Sequence, residues 1–285
     1  MPGSASPELH GIRQRITGTA QPQTAHPAYE GTPHMGIYVS QMFEDPVMKE
    51  IAAAYGVGIE TIDFARSDYL DEPDHAAAYK KRLAEMGTDD VIVHGPFFDL
   101  NPVSFDRKIA GVSAERMEQA YQAARLIGSR KMVFHSAFIP GMVFREGWAE
   151  RMKDFWSGFI SGKKDLEIRM ENVVDPDPYL LRDFIQASDS PRIRICLDIG
   201  HMNCASEVPA AEWVKVLGSL TRELHLHDNH GSGDEHLGLG RGLIAWPEIV
   251  ESVLVQSPDC DLTLECPDRK DAEESVRKIR EVIGK

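Results

Sequence analysis

Histidine and carboxylate residues close a series of short apolar runs in this sequence. His94 follows Val91-Ile92-Val93, His135 follows Val133-Phe134, Glu171 ends Arg169-Met170-Glu171 and Asp198 ends Cys196-Leu197-Asp198. His201 comes three residues after Asp198. His225 and His227 alternate with leucine in Leu224-His225-Leu226-His227, Asp234 and His236 follow in the next loop, and Glu265 ends Leu262-Thr263-Leu264-Glu265. Ionisable groups at the ends of apolar strands are costly to desolvate unless paired, hydrogen-bonded or bound to metal. A lone one is usually a satisfied structural group, because ion-pair networks mimic sites. The set is harder to explain that way: from Met35 onward only His75 lies away from a strand end or the loop after one, whereas structural histidines should scatter. Clustered His, Asp and Glu mark metal or catalytic centres. Imidazole with carboxylate suits Zn²⁺ or Mn²⁺, and the lack of cysteine at these positions argues for a catalytic ion rather than a structural one. His227 shares strand parity with His225, which makes it a candidate for substrate contact or for a hydrogen bond behind the ligands.

The elements that must position these residues follow a regular alternation. From Gly36 onward, short β-branched runs alternate with amphipathic segments, the pattern of βα units and a parallel sheet. The spacing predicts strands over 36–40, 58–64, 90–94, 131–135, 166–171, 193–198, 223–227 and 261–265. Helices are predicted over 46–55, 74–86, 113–127, 147–161, 178–187, 209–219, 246–256 and 270–283. Ser113 is read as the N-cap of the third helix and Gly128 as its stop. Eight strands, each with a following helix, over about 250 residues fit a closed TIM (β/α)₈ barrel, whose active site lies at the C-terminal strand ends. No glycine-rich GxGxxG or GxxxxGK[ST] turn follows any strand, which removes a Rossmann or P-loop reading.

Composition sets the outer bounds. The chain has 285 residues, 42% of them hydrophobic and 27% charged, in keeping with one large globular core. Residues 1–34, rich in Pro, Gly, Thr, Gln and Ala, read as a disordered or tag-like tail ahead of a barrel over 35–285, with His34-Met35 resembling a fusion scar. No apolar run approaches the roughly 18–20 residues of a membrane span, and no secretory h-region is present, so a cytoplasmic protein is expected. Cys196, Cys204, Cys260 and Cys266 have no paired metal spacing and do not suggest a disulfide framework. A net charge of −14 gives no long-range attraction for nucleic acid or anionic lipid. The composition is compatible with an oligomer.

With these residues in hand, the chain resembles the xylose isomerase-like superfamily of barrels, which includes sugar isomerases, D-tagatose 3-epimerase-like enzymes and endonuclease IV. The resemblance spans about residues 36–283. It is carried by His94-Gly95-Pro96-Phe97, Met170-Glu171-Asn172-Val173, Leu197-Asp198-Ile199-Gly200-His201-Met202-Asn203, Asp228-Asn229, Asp234 through Gly242, and Leu264-Glu265. In the epimerase branch one metal is held by residues matching Glu171, Asp198, His225 and Glu265. The two glutamates serve there as acid and base, and the residue matching His201 touches the sugar. In the endonuclease IV branch, the matching residues form three zinc sites. By that resemblance His94, His135 and Glu171 serve one ion, Glu171, Asp198, His225 and Glu265 a second, and His201, Asp234 and His236 a third.

Other features favour the first branch. The segment after the second strand, Ala65 through Asp74, is dominated by acids and would repel phosphate. Phe97 and Phe98 after His94 suit a lid over a small substrate, with Phe97 touching it, or plain packing, better than a wedge into a duplex. No strand-end lysine is present to assist a hydride shift, so proton transfer is the more natural route. The expectation is a metal-dependent sugar or sugar-phosphate isomerase or epimerase with one to three divalent ions and a carbohydrate substrate. An endonuclease IV-like phosphodiesterase is the alternative, and a non-enzymatic binding barrel a third.

Overall fold

The computed structural model describes residues 35–284; the reading of 1–34 as a tail lies outside the described residues. Eight parallel strands close on themselves in chain order, β1 pairing with β8 as well as with β2. They are β1 (Ile37–Ser40), β2 (Gly58–Thr61), β3 (Val91–His94), β4 (Lys131–His135), β5 (Glu167–Glu171), β6 (Ile193–Asp198), β7 (Thr221–Leu226) and β8 (Asp261–Leu264). Around them run α1 (Asp45–Tyr55), α2 (Ser67–Asp71), α3 (His75–Met86), α4 (Arg107–Ile127), α5 (Trp148–Ile160), α6 (Tyr179–Ser188), α7 (Ile199–Ala205), α8 (Ala210–Leu217), α9 (Trp246–Gln256) and α10 (Arg269–Ile283). This is the predicted (β/α)₈ barrel with two short helices added.

Each expected strand is present. The second ends at Thr61 rather than residue 64, because Asp63–Ala65 turns as a 3-10 helix and the Asp63 amide bonds the Thr61 hydroxyl. The acid-rich segment after it forms α2, where Arg66 pairs with Asp68 and Asp71 with Arg116. Helix α4 corrects the third predicted helix. It begins at Arg107, capped by Asp106 accepting from the Lys108 amide, so Ser113 is not an N-cap. Ser113 is buried inside the helix, where its hydroxyl donates to the Ile109 carbonyl and accepts from the Asn101 amide. Ile109 and Val112 face outward, which hid the early turns from a periodicity reading. Gly128 ends the helix in the left-handed region, as expected.

The main core lies between the strands' outer faces and the helices, around Trp148, Trp156, Phe134 and Phe184. The barrel interior is different. Among the described residues, Tyr38, Ile92, Val133 and Cys196 form a small apolar layer there. Below the site runs a buried ionic chain: Arg169 reaches Glu223 at 2.9 Å and Asp261 at 2.8 Å, and Lys131 joins Asp261 at 2.6 Å and the Tyr38 hydroxyl at 2.9 Å. Branched aliphatic layers usually fill such barrels. Here alternating inward positions carry charge that is satisfied by pairing. All four cysteines are free, and among the described residues no helix is long and apolar enough to cross a membrane.

Candidate metal and catalytic site

Strand register brings the strand-end groups together. His135 stands beside Glu171 across the β4–β5 ladder, and Asp198 beside His225 across β6–β7. Two-residue alternation then points His94, His135, Glu171, Asp198 and His225 into the same mouth. The ends of β5 and β6 are fastened by Asn172, whose side chain accepts from the Asp198 amide and donates to its carbonyl, each at 2.9 Å. Asp198 also caps α7 by accepting from the His201 amide at 2.6 Å. The cap turns His201 back toward the mouth. Gly200 is required in this turn, because a Cβ there would sit 1.9 Å from the His227 ring.

Three groups of donors result. Glu171 Oε2 lies 3.2 Å from His94 Nε2 and 3.4 Å from His135 Nε2. His225 Nδ1 lies 3.4 Å from Glu171 Oε1, 3.5 Å from Glu265 Oε1 and 3.8 Å from Asp198 Oδ2. Asp234 Oδ2 lies 3.0 Å from His236 Nε2 and 3.3 Å from His201 Nε2, while its Oδ1 is 3.6 Å from His227 Nε2. The nine residues singled out as metal ligands thus converge in one mouth, linked through Glu171 and Asp198. His201 Nδ1 touches Glu171 at 3.2 Å, joining the third group to the first two.

The tautomers are set from behind. His94 Nδ1 bonds the Gly95 carbonyl at 2.9 Å, His201 Nδ1 the Asn172 carbonyl at 3.0 Å, and His236 Nδ1 the Glu265 carbonyl at 3.0 Å. A carbonyl only accepts, so each Nδ1 carries the hydrogen and each Nε2 faces the carboxylates. His225 is reversed: Nε2 bonds Glu60 at 3.2 Å and Nδ1 looks into the mouth, buried and without a hydrogen bond among the described residues. One anchored nitrogen with the other left for a ligand is the usual setting of metal-binding histidine. Donor chemistry and orientation therefore fit a divalent ion, with Glu171, Asp198, His225 and Glu265 as one set of ligands.

Burial and the neighbouring charges shift these groups in both directions. Glu171 is buried, which opposes ionisation, yet His135 and His225 hold its carboxyl well below the ordinary range. Burial raises Glu265 and Glu60. His94 and His135 share one carboxylate oxygen. Burial pushes His135 down to about 3, while His94 overcomes burial through Glu171 and rises to about 9. Burial also opposes the charge on His201, but Asp198 and Asp234 hold it up to about 12.

The remaining candidates divide. Phe97 stacks on His135 with ring centroids 4.1 Å apart and so lies at the mouth. His227 is buried, 3.2 Å from both Asp198 oxygens and stacked on His236 at 3.9 Å. Asp228 braces the loop, accepting from the amides of Asn229, Gly240 and Ile244. His230 pairs with Glu235 on the surface. Sequence reasoning missed Glu60, Arg169 and Glu223. The signal was strand parity: Glu60 lies one residue before the end of β2, and Arg169 and Glu223 lie two residues before Glu171 and His225 on the same strands, but no candidate was sought by parity below the mouth.

Residues 50–284 match the Xylose isomerase-like TIM barrel family, and the chain belongs to it. The uncharacterized protein MJ1311 of Methanocaldococcus jannaschii is 27% identical over 223 residues, covering 72% of this chain and 74% of its own. A crystal structure of a D-tagatose 3-epimerase-like protein superimposes with a TM-score of 0.72 at 24% identity, covering 88% of this chain and 97% of that one. The TTHB071 protein from Thermus thermophilus, soaked with zinc chloride, gives a TM-score of 0.69 at 24% identity, covering 88% and 98%. The two structural likenesses establish the barrel fold.

Proposed function

We propose that the chain is a metal-dependent isomerase or epimerase of a sugar or sugar phosphate, working by proton transfer beside a ketone. The observation that carries this reading is that two buried glutamates, Glu171 and Glu265, approach one inward histidine nitrogen, 3.4 and 3.5 Å from His225 Nδ1. A divalent ion held by Glu171, Asp198, His225 and Glu265 would polarise the carbonyl and acidify the neighbouring C–H. One glutamate then removes that proton, the C–H electron pair forms an enediolate, and the other glutamate returns a proton to the opposite face. His201, anchored through Nδ1, and Phe97, stacked over His135, are assigned to substrate binding, and His227 to holding Asp198 or to a substrate contact. The likeness to a D-tagatose 3-epimerase-like protein supports the reading.

A second reading has its own observation. Histidines 94, 135, 201 and 236 with Asp234 extend the cluster beyond what one ion needs, and three donor groups suit zinc-dependent phosphodiester hydrolysis, as in endonuclease IV. Against it, the segment after β2 carries Asp68, Asp71, Glu72 and Asp74, and its arginine, Arg66, is already paired with Asp68, which disfavours a phosphate backbone there.

One assay separates the two. Metal-loaded protein is incubated in D₂O with a ketose panel and, in parallel, with an abasic-site duplex. Deuterium entering the sugar carbon with formation of its epimer is expected, and Glu265→Gln is expected to lower it by about 10³-fold or more. Strand cleavage without deuterium uptake would replace the first reading by the second.

A further inference from the structure

Beside the metal ligands lies a second space that the proton-transfer reading does not use. A cleft of about 580 Å³ opens between the segments following β3, β4 and β5. Its walls are Leu100, Ile109, Phe138, Ile139, Val143 and Val174, and it reaches the site through Phe97 and His135. The volume is that of a small-molecule pocket. Met142 in its wall, and Phe98, Phe105 and Phe144, each next in sequence to a wall residue, are more than 60% exposed. That concentration of large apolar groups at one side of the mouth marks a contact surface.

The polar groups at the walls are partly engaged in turns or of the wrong sign for an anion. Asn101 Oδ1 accepts from the Val103 amide and Ser104 Oγ from the Asp106 amide. Among the described residues no lysine or arginine lines the cleft, and its carboxylate, Asp99, disfavours phosphate. The backbone is also held unusually there. Asp99 and Ala137, both in the wall, have φ of 59° and 54°, and alanine in this region costs on the order of 1 kcal/mol. Ala137 lies two residues beyond His135, so the strained turn carries the wall away from the ligands and opens the space.

We propose that the substrate carries an aryl or branched alkyl substituent that occupies this cleft while its polar part sits at Glu171 and His135. This rests on the metal-site reading above and narrows its substrate class from free sugars to carbohydrates bearing an apolar group. The occupant is the substrate itself because the opening leads directly onto His135, and one molecule reaches both spaces.

The test uses zinc-loaded protein and two chelating probes, acetohydroxamate and 3-phenylpropanohydroxamate, titrated by calorimetry. Both present the same chelating head, and they differ by the apolar tail. We expect the phenyl compound to bind about tenfold tighter or more, the gain for burying a ring. Ile139→Asp and Val174→Asp should each erase that gain and leave acetohydroxamate binding unchanged. Both positions are at least 40% exposed, so the new carboxylate stays hydrated in the free protein and folding is retained. An equal affinity for the two probes, or a gain that survives both substitutions, overturns the inference while the metal site stands. Failure of acetohydroxamate itself to bind overturns the metal-site reading, and the inference falls with it.

Discussion

Glu60 shows how much a single buried side chain can decide. It sits two residues into β2, fully enclosed, with Oε2 3.2 Å from His225 Nε2. By fixing that nitrogen it turns Nδ1 toward Glu171, Asp198 and Glu265. Glu60→Ala is therefore expected to weaken Zn²⁺ binding by about 10–100-fold, the usual effect of losing such a partner. Glu60→Gln should lose less, since its amide oxygen still accepts; competition against a chromophoric chelator measures both. Asp175, outside the candidate ligand set, supplies a pH test. It accepts from Ser136 Oγ and the Val173 amide, but Oδ1 is buried and unpaired, and burial raises its pKa to about 6. The folded state therefore holds the proton more tightly than the unfolded chain does. Its stabilising contribution is complete below about pH 4 and is lost as pH rises through 6, reaching about 3 kcal/mol. Asp175→Asn mimics the protonated form. It should raise the thermal midpoint at pH 7.5 and make no difference near pH 4; equal effects at both would contradict the assignment.

At the scale of elements, the strands were readable because a βα barrel writes each one as an apolar run closed by a polar group, and those closing groups are the candidate site. Helix α7 was not readable. Its seven residues include Gly200 and Asn203, too few for a period, and it forms because Asp198 caps it where β6 ends. Glu60 was hidden for a related reason: reading β2 through residue 64 made it a mid-strand position rather than one near an end. The ionic chain beneath the site needed the register, since Arg169, Glu223 and Asp261 lie on three different strands. Two substitutions test these elements. Arg169→Met leaves Glu223 and Asp261 without their shared guanidinium, and urea unfolding should show a loss of about 3 kcal/mol or more. Gly200→Ala drives a methyl into His227, which must move away from Asp198. Metal affinity should fall by at least about tenfold while the far-ultraviolet dichroism of the barrel persists.

Across the whole molecule, a net charge of −14 and a mouth rich in carboxylates would oppose compaction if the acids were left to repel one another. Imidazolium groups and the Arg169–Lys131 chain offset part of that cost within the fold. A bound divalent ion would offset more and, binding only the folded state, would stabilise it by about 2.7 kcal/mol at 100 times its dissociation constant. Thermal midpoints should therefore rise on Zn²⁺ or Mn²⁺ addition and fall back with chelator. The most direct measurement is anomalous diffraction from crystals grown with Mn²⁺. The account predicts a peak among Glu171, Asp198, His225 and Glu265, within bonding distance of all four. Ordered side chains in the same positions with no peak among them, at saturating Mn²⁺, would contradict it.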